Sequence, residues 1–449
     1  MRPVRANPHY VTELTHLLSS NPDTGRPGNW RRDLAGLLRS SAHQRSLAFS
    51  ALIDHFFNDP QAVPDESQLA QLVCECMFHD EVELLKAIFE QERVTKVDVS
   101  PRSQGNSDLS IALKTLLHAI PDHCSVDQLT LCGHHFEDNA ISLLFDVLKR
   151  MPELESLRLA QCSMKIHSFF GISDCPPLPM LKNLYFERTK YTEQLLWKIL
   201  AACQLSRLHL LKNYVDGVER HRGTAQALMK QPELRELALD LRTEKVGTVL
   251  HYYAEYLKNQ ATIRHLDLSN AHLKQEDCNM LRGALTGKNK LTSLSLRNCN
   301  QFLGELANLV SLESLDRLDL SKTLFLKQTM PLMTALANHP NLLHVNLNGR
   351  FLDHVIEGLA FALENNKILT SLELPRMDDD KVYARLVDAM KNNRSLRLLS
   401  SPDMEDLCQK NPEGMRDQYP SYFALMACVT ANQSRWERDQ KDQDKFVHS

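Results

Sequence analysis

The sequence predicts an α/β solenoid, a fold in which short strands alternate with returning helices and each repeat packs on its neighbours. Apolar residues recur in a fixed triplet whose second and third members lie three and five residues after the first, as in Leu291, Leu294 and Leu296. Between triplets the apolar residues recur with helical spacing, as over residues 246–257. Such self-similarity at a period of about 20 to 50 residues is typical of repeat architectures.

The triplet recurs over residues 94 to about 400, with a worn last copy. The first positions are Val94, Val126, Leu154, Leu181, Leu205, Leu234, Ile263, Leu291, Leu315, Leu342, Ile368 or Leu369, and Leu396. Consecutive first positions lie 24 to 32 residues apart. Each triplet predicts one parallel inner strand, and each following stretch predicts one outer helix. The units of 24 residues, from Leu181 and from Leu291, have room for about one helical turn less.

The two ends of the chain lack the triplet. Residues 1–93 carry apolar residues at helical spacing, interrupted at 22–29 and 58–64, and predict a helical N-terminal cap or head. A cap is favoured, because the end of a solenoid core needs a cover. Residues 401–449 predict a closing helix around 422–429 followed by a charged tail, 435–449, that is frayed or disordered.

Composition excludes several function classes. The 449 residues include 52 basic and 56 acidic side chains, a net charge of −4, which gives no electrostatic reason to expect nucleic acid or an anionic membrane. The 11 cysteines are scattered, and no run approaches the roughly 18 apolar residues of a membrane span. With no apolar segment of signal-peptide type, we expect a cytoplasmic protein or, alternatively, one secreted into a host cell without a cleaved signal peptide.

Motifs for catalysis, cofactors or metals are missing from the sequence. No phosphate-binding loop, dinucleotide fingerprint, zinc-protease motif or nucleophile elbow is found. Cys74-Glu-Cys76, His134-His135 and Asp378–Asp380 lack partners at metal-ligand spacing, and the aspartates are explained by a helix start. Asn393 and Asn432 match the glycosylation acceptor pattern, which is common by chance. The sequence therefore predicts a non-enzymatic protein without cofactor or metal.

The unit LxxLxL, with a small polar or thiol residue three positions beyond it, resembles the leucine-rich repeats of the ribonuclease-inhibitor-like class. Cys162, Thr189, Asn213, Cys299 and Thr323 occupy that further position. The chain departs from the class by placing other residues there in further units, namely His134, Arg242, Ala271, Arg350 and Met377. The resemblance covers about two thirds of the chain and implies a right-handed horseshoe. The helical head and the missing secretory signal are also similar to bacterial effector proteins delivered into host cells.

The expected working surface is the concave face of the horseshoe. Residues that flank or separate the last two leucines of a triplet point away from the core, because strand side chains alternate. The predicted protein-binding residues are Arg158, Tyr185, Glu187, Arg207, His209, Glu236, Asp240, His265, Asp267, Arg297, Arg317 and Asp319. The sequence thus predicts a module that binds a partner protein. An alternative is the substrate-recognition component of a ubiquitin ligase, although residues 1–93 show no leucine-proline box of the F-box kind.

Overall fold

The structure is a computed structural model. The chain forms two compact units, an N-terminal unit up to Gln204 and a C-terminal unit from Leu205. The structure describes residues 73, 76–77, 82–90, 94–100, 109–121, 124–136, 138–164, 174–211, 218–242, 246–287, 290–299, 303–325, 329–351, 353–375 and 377–447. The helices predicted before residue 73, as well as Cys74 and Asn213, lie outside these described residues.

In the N-terminal unit, helices alternate with the strands of a parallel sheet of order β1-β2-β4-β6. The helices are α1 Val82–Glu90, α2 Leu109–Ala119, α3 Asp138–Lys149 and α4 Glu193–Ala202. The strands are β1 Lys96–Val99, β2 Gln128–Cys132, β3 His135–Phe136, β4 Ser156–Ala160, β5 Ser163–Met164 and β6 Asn183–Glu187. β3 and β5 form a separate two-stranded parallel pair.

The C-terminal unit repeats the same plan, with a parallel order β7-β8-β9-β10-β11-β13-β15-β16. Its strands are β7 Arg207–Leu211, β8 Glu236–Leu239, β9 His265–Asp267, β10 Ser293–Ser295, β11 Arg317–Asp319, β12 Leu324–Phe325, β13 His344–Asn346, β14 Arg350–Phe351, β15 Ser371–Glu373 and β16 Leu398–Ser400. Its helices are α5 Val218–Leu228, α6 Val246–Asn259, α7 Gln275–Leu285, α8 Leu303–Val310, α9 Met330–Asn338, α10 Asp353–Asn365, α11 Asp380–Met390, α12 Pro402–Lys410, α13 Pro412–Gln418 and α14 Pro420–Val447.

The predicted triplets form the core of both units. In the triplet that set the repeat pattern, Leu291, Leu294 and Leu296 are at most 1% exposed. Second positions of neighbouring repeats pair directly, as Leu157 with Leu184 and Leu266 with Leu294. Buried leucines therefore stack strand upon strand, and the α/β leucine-rich repeat solenoid predicted from the sequence is confirmed.

The two shortest repeats carry short helices. The helices in the two 24-residue units, α4 and α8, have 10 and 8 residues, whereas α6 and α10 have 14 and 13. Repeat length does not set helix length alone, because α9 has 9 residues in a unit of 27 residues.

The prediction of a frayed or disordered tail is wrong over residues 435–447. α14 continues without a break from Pro420 to Val447, although residues 437–445 are all polar. This stretch is rich in the helix formers Glu, Arg, Gln and Lys. A bond between Gln433 and Glu437 one turn apart, at 2.7 Å, supports it, and so does Trp436, whose ring lies 4.4 Å from the Arg397 guanidinium carbon.

Candidate protein-binding face

In both units, most strands of the parallel sheet bury one set of alternate side chains and expose the other, although Ala238 on β8 is also buried. On β7, for example, Leu208 and Leu210 are buried while Arg207 and His209 reach solvent. We call the surface formed by these exposed alternate positions the open face. The predicted protein-binding residues lie on it or at its edge, in both units.

In the N-terminal unit the open face brings together three of the predicted residues. Arg158 on β4 and Tyr185 on β6 are direct register partners. The Arg158 guanidinium donates to a Glu187 carboxylate oxygen at 2.7 Å, from the neighbouring strand. An exposed arginine held beside a tyrosine suits a protein contact, because both residue types are enriched among interface hot spots.

In the C-terminal unit Glu236 organises a second group. One carboxylate oxygen lies 2.7 Å from His209 Nε2, and the other lies 3.2 Å from Arg207 Nε. His265 and Arg317 continue the row on β9 and β11, both exposed. Charges of both signs therefore share this row. The ion pair between Glu236 and Arg207 neutralises part of the charge of both groups.

The polar residues at the ends of three strands, Asp267, Asp319 and Asn346, have a structural role that the sequence analysis did not predict. One carboxylate oxygen of Asp267 accepts the backbone N–H of Ser269 at 2.8 Å, and Asp319 accepts that of Ser321 at the same distance. Asn346 accepts the N–H of Asn348 at 2.9 Å. The polar residue before the third leucine therefore ties the chain into its turn. Asp and Asn side chains commonly form turns by accepting the backbone N–H two residues later in the chain. These residue types before the third leucine could therefore have predicted the turn from the sequence.

Asp240 is a correction to the expected surface. Its side chain is only 2% exposed, because Arg242 folds over it and donates from Nε and Nη2 at 2.7 to 3.0 Å. The group exposed at this point is therefore the half-exposed guanidinium of Arg242. Arg297 also differs slightly from the expectation, since it lies in the turn after β10, 3.7 Å from Asp319.

A first hydrogen-bond ladder fixes the turns below the open face. In several repeats, the buried residue three positions beyond the triplet reaches back to the carbonyl of the third triplet residue of the preceding repeat. The observed bonds run from Cys162 to Leu131, Thr189 to Leu159, Cys299 to Leu268 and Thr323 to Leu296, at 2.9 to 3.6 Å. His134, which departs from the class pattern, performs the same task through Nε2, 2.8 Å from the Val99 oxygen.

The residue just before each ladder residue adopts positive φ. Asn270 and Asn298 have φ of 66° and 57°, and Lys322 has 60°. Their backbone N–H groups donate to carbonyls of the next repeat. Asn270 donates to Arg297, Asn298 to Ser321 and Lys322 to Asn348. This left-handed turn is readily adopted by glycine and tolerated by asparagine, and it carries a cost for lysine that the ladder bonds offset.

A second ladder, which the sequence analysis did not predict, lies in the last repeats, where a helix returns to the next strand. A buried amide or imidazole occupies the position three residues before the triplet, as His339, Asn366 and Asn393 do. Asn366 Nδ2 donates to the Leu336 carbonyl at 2.6 Å, and Asn393 Nδ2 donates to that of Leu363 at 2.7 Å. Their Oδ1 atoms accept the N–H groups that enter the next strand. Asn432 of α14 donates to the Asn393 and Leu396 carbonyls and extends the ladder past the last repeat.

Burial sets the ionisation of these structural groups. It lowers the pKa of His134 and of His339, so both imidazoles are neutral near pH 7. It raises the pKa of the Cys162 thiol to about 11 and that of Cys299 to about 12, which keeps both thiols protonated and unreactive. Asn393 and Asn432, the two glycosylation-type asparagines, are 2% and 6% exposed and fully used inside the fold.

The described residues contain no group of three or more His, Cys, Asp and Glu side chains that could hold a metal ion. The aspartates at 378–380 are used at a helix start, as predicted, since Asp379 accepts the N–H of Lys381 and Asp380 binds Ser421 of α14. Over the same part of the chain, no helix has the length and apolar content to cross a bilayer.

Comparisons with known proteins find matches only among solved structures. No protein-family model and no curated protein matches the chain. Among solved structures, an internalin (inlF) from Listeria monocytogenes strain 4b F2365 is 14% identical, with a TM-score of 0.37, over 72% of this chain and 88% of that one. Leiomodin-1 actin-binding site 2 is 14% identical, with a TM-score of 0.20, over 51% and 95%.

Proposed function

We propose that the chain is a non-enzymatic protein-interaction module that binds a partner protein on its open face, the concave side of the expected horseshoe. The module acts by occupying or bringing together partner surfaces. The observation that carries this proposal is the row of exposed polar side chains on a rigid support. Within the C-terminal unit, eight strands about 4.8 Å apart make this row roughly 34 Å long.

Rigidity supports the proposal, because the two ladders fix the backbone at both ends of the strands. Side chains on a fixed backbone lose less conformational entropy on binding, which favours affinity. The types of residue support it too: Arg158 with Tyr185 in one unit, and Arg207 with His209 in the other, combine guanidinium groups with rings. Mixed charges favour specificity for one partner over general attraction to an acidic or basic surface.

A photocrosslinking residue placed at individual positions tests the proposal. It replaces Tyr185 or His265 on the open face and, as a matched control, the exposed Glu255 on α6. After irradiation in the relevant cytosol, adducts to a protein are expected from the open-face positions and not from the helix position. Adducts from Glu255 alone would move the binding site to the helices.

Replacing Arg207 and His209 together by alanine is the complementary change. It should leave thermal unfolding nearly unchanged and weaken capture of the crosslinked partner at least tenfold, because each side chain is solvent-accessible and neither fills the core. The role as an effector in a host cell and the alternative role in a ubiquitin ligase stay predictions from the sequence.

A further inference from the structure

A second exposed surface lies at the C-terminal end of the repeats. Four large apolar side chains are exposed there: Leu343 (36%), Ile368 (38%), Leu398 (59%) and Trp436 (42%). We call these four residues, with Arg397, the C-terminal patch. Single exposed apolar residues are ordinary, whereas a contiguous group is typical of a binding surface.

Backbone hydrogen bonds and strand register place the three strand entries of the patch side by side. Thr370 binds the Leu343 carbonyl through its N–H and Oγ1, at 2.9 and 3.0 Å, and its own carbonyl accepts the Arg397 N–H at 2.9 Å. Leu398 is the register partner of Ser371 on the adjacent strand. Neighbouring strands lie about 4.8 Å apart, so the entries to β13, β15 and β16 form one surface about 10 Å across.

Trp436 is held against this surface by α14. Asn432, one turn earlier, anchors the helix through two bonds to the last repeat, and the Trp436 ring then lies over the Arg397 guanidinium. This cation–π contact fixes two side chains that are otherwise rotamer-rich. A preformed pair of tryptophan and arginine beside exposed leucines has the composition of an interface hot spot.

Basic side chains predominate at the last two strand entries of the patch, whereas Asp316 lies next to Leu343 at the first. Residues 366–371 and 391–398, which lead into the last two strands, contain Lys367, Lys391, Arg394 and Arg397 and no acidic residue. Lys391 is paired with Asp388 at 2.7 Å. Lys367 bonds to two backbone carbonyls, so its positive charge is not neutralised by a carboxylate in these contacts. The patch therefore complements an apolar group flanked by negative charge.

We propose that the C-terminal patch docks an acidic peptide segment of a partner protein, with a bulky apolar side chain of the segment packed against Leu398 and Trp436. Carboxylates of the segment then face Lys367, Arg394 and Arg397. None of the twelve predicted protein-binding residues belongs to this site, although Leu398 is the open-face residue of β16 and the patch therefore adjoins the last strand of that face. An anionic membrane surface would be attracted by the same basic side chains, and binding to anionic vesicles is therefore one of the outcomes of the test below.

Peptide selection tests the proposal without knowledge of the partner. A random dodecapeptide phage library is selected on the full chain and counter-selected on the Leu398→Ser, Trp436→Ser double variant. Enriched peptides should be net negative and contain leucine or an aromatic residue. Fluorescence anisotropy with a labelled winner should give at least tenfold weaker binding to Arg397→Glu, and Trp436→Phe should retain most of the affinity.

The matched control is Phe361→Ser, which removes a comparably exposed apolar side chain (36%) from α10. It should leave peptide affinity unchanged, and thermal unfolding should show that all variants remain folded. Enrichment of neutral or basic peptides, no patch-dependent enrichment, or equal loss with Phe361→Ser would overturn the proposal. So would patch-dependent binding to phosphatidylserine vesicles without peptide binding, or self-association abolished by Leu398→Ser.

Discussion

At the scale of single residues, buried amides explain how the repeats hold together where helices meet strands. Asn393 binds two carbonyls through Nδ2 and accepts two backbone N–H groups through Oδ1. No apolar side chain could satisfy these four groups, and each buried group left unsatisfied costs about 1 to 3 kcal/mol. One side chain of this ladder therefore stabilises two successive repeats.

Replacing Asn393 by alanine should lower the free energy of unfolding by about 3 kcal/mol or more, measured by urea denaturation. The neighbouring Asn392 is the matched control, because it is exposed and only its backbone carbonyl takes part in a described bond, to Lys367. Asn392→Ala should change stability by less than about 0.5 kcal/mol. Equal midpoints for the two variants would contradict the role of the ladder.

His339 adds a pH dependence to the same ladder. Its Nε2 donates to the Leu312 carbonyl at 3.0 Å while Nδ1 accepts the Asn341 N–H at 3.1 Å, an arrangement that requires the neutral ring. Because burial lowers its folded pKa below the ordinary 6.5, the stability it provides is complete above that pH. This stability is lost as the pH falls from 6.5 through the folded pKa.

Asparagine, which neighbouring repeats carry at this position, makes equivalent bonds without titrating. His339→Asn should therefore keep stability near pH 8 and reduce the loss of unfolding free energy between about pH 6.5 and 5. Denaturation curves over this range provide the measurement. Parallel profiles of unfolding free energy against pH for the variant and the unmodified chain would show that His339 does not contribute to the pH dependence. His134 is also buried and has a lowered pKa, so part of the pH dependence should remain in the variant.

At the scale of one strand, adjacent residues on β10 should differ sharply in their tolerance of charge. Leu294 is 1% exposed, so Leu294→Asp buries a carboxylate without a partner and should cost several kcal/mol. Ser293→Asp places the same charge on the open face, next to His265 and Arg317, and should be nearly neutral. A small thermal shift for Leu294→Asp, or equal shifts for both variants, would contradict the strand register.

The sequence was sufficient for the elements and insufficient for the polar contacts between them. The leucine triplets indicate which side of each strand is buried. The positions of the strands could therefore be predicted from the alternation of side chains. Whether His134 fits the ladder depends on a contact with Val99, 35 residues earlier, which no local pattern reveals. The burial of Asp240 likewise depends on the rotamer of Arg242. The helical tail was missed because charge was interpreted as disorder, whereas spacing and anchoring by Trp436 favour a helix.

At the scale of the whole molecule, a helix that precedes the first triplet covers the first repeat. The sequence predicts a boundary at residue 94 with a helical cap or head before it, and α1 packs against α2, the helix of the first repeat, and buries Leu85, Ile88 and Phe89 to 5% exposure or less. We propose that α1 belongs to the array as its first covering helix. Each large apolar side chain that loses its burial costs about 1.5 to 3 kcal/mol as an upper estimate.

Deleting residues 1–93 should therefore destabilise the first repeats by about 4 kcal/mol or more, because it removes three buried side chains and uncovers Leu113 and Leu116 of α2. Deleting residues 1–72 is the matched control, since it retains α1 together with the buried Val73 and Met77. In a repeat protein each unit contacts only its neighbours, so the loss should appear as early hydrogen exchange in β1 and α2 while β10 to β16 stay protected. Equal protection of β1 from hydrogen exchange in the two deletion variants would place the boundary at residue 94. Loss of partner binding in both variants would assign a binding role to residues 1–72.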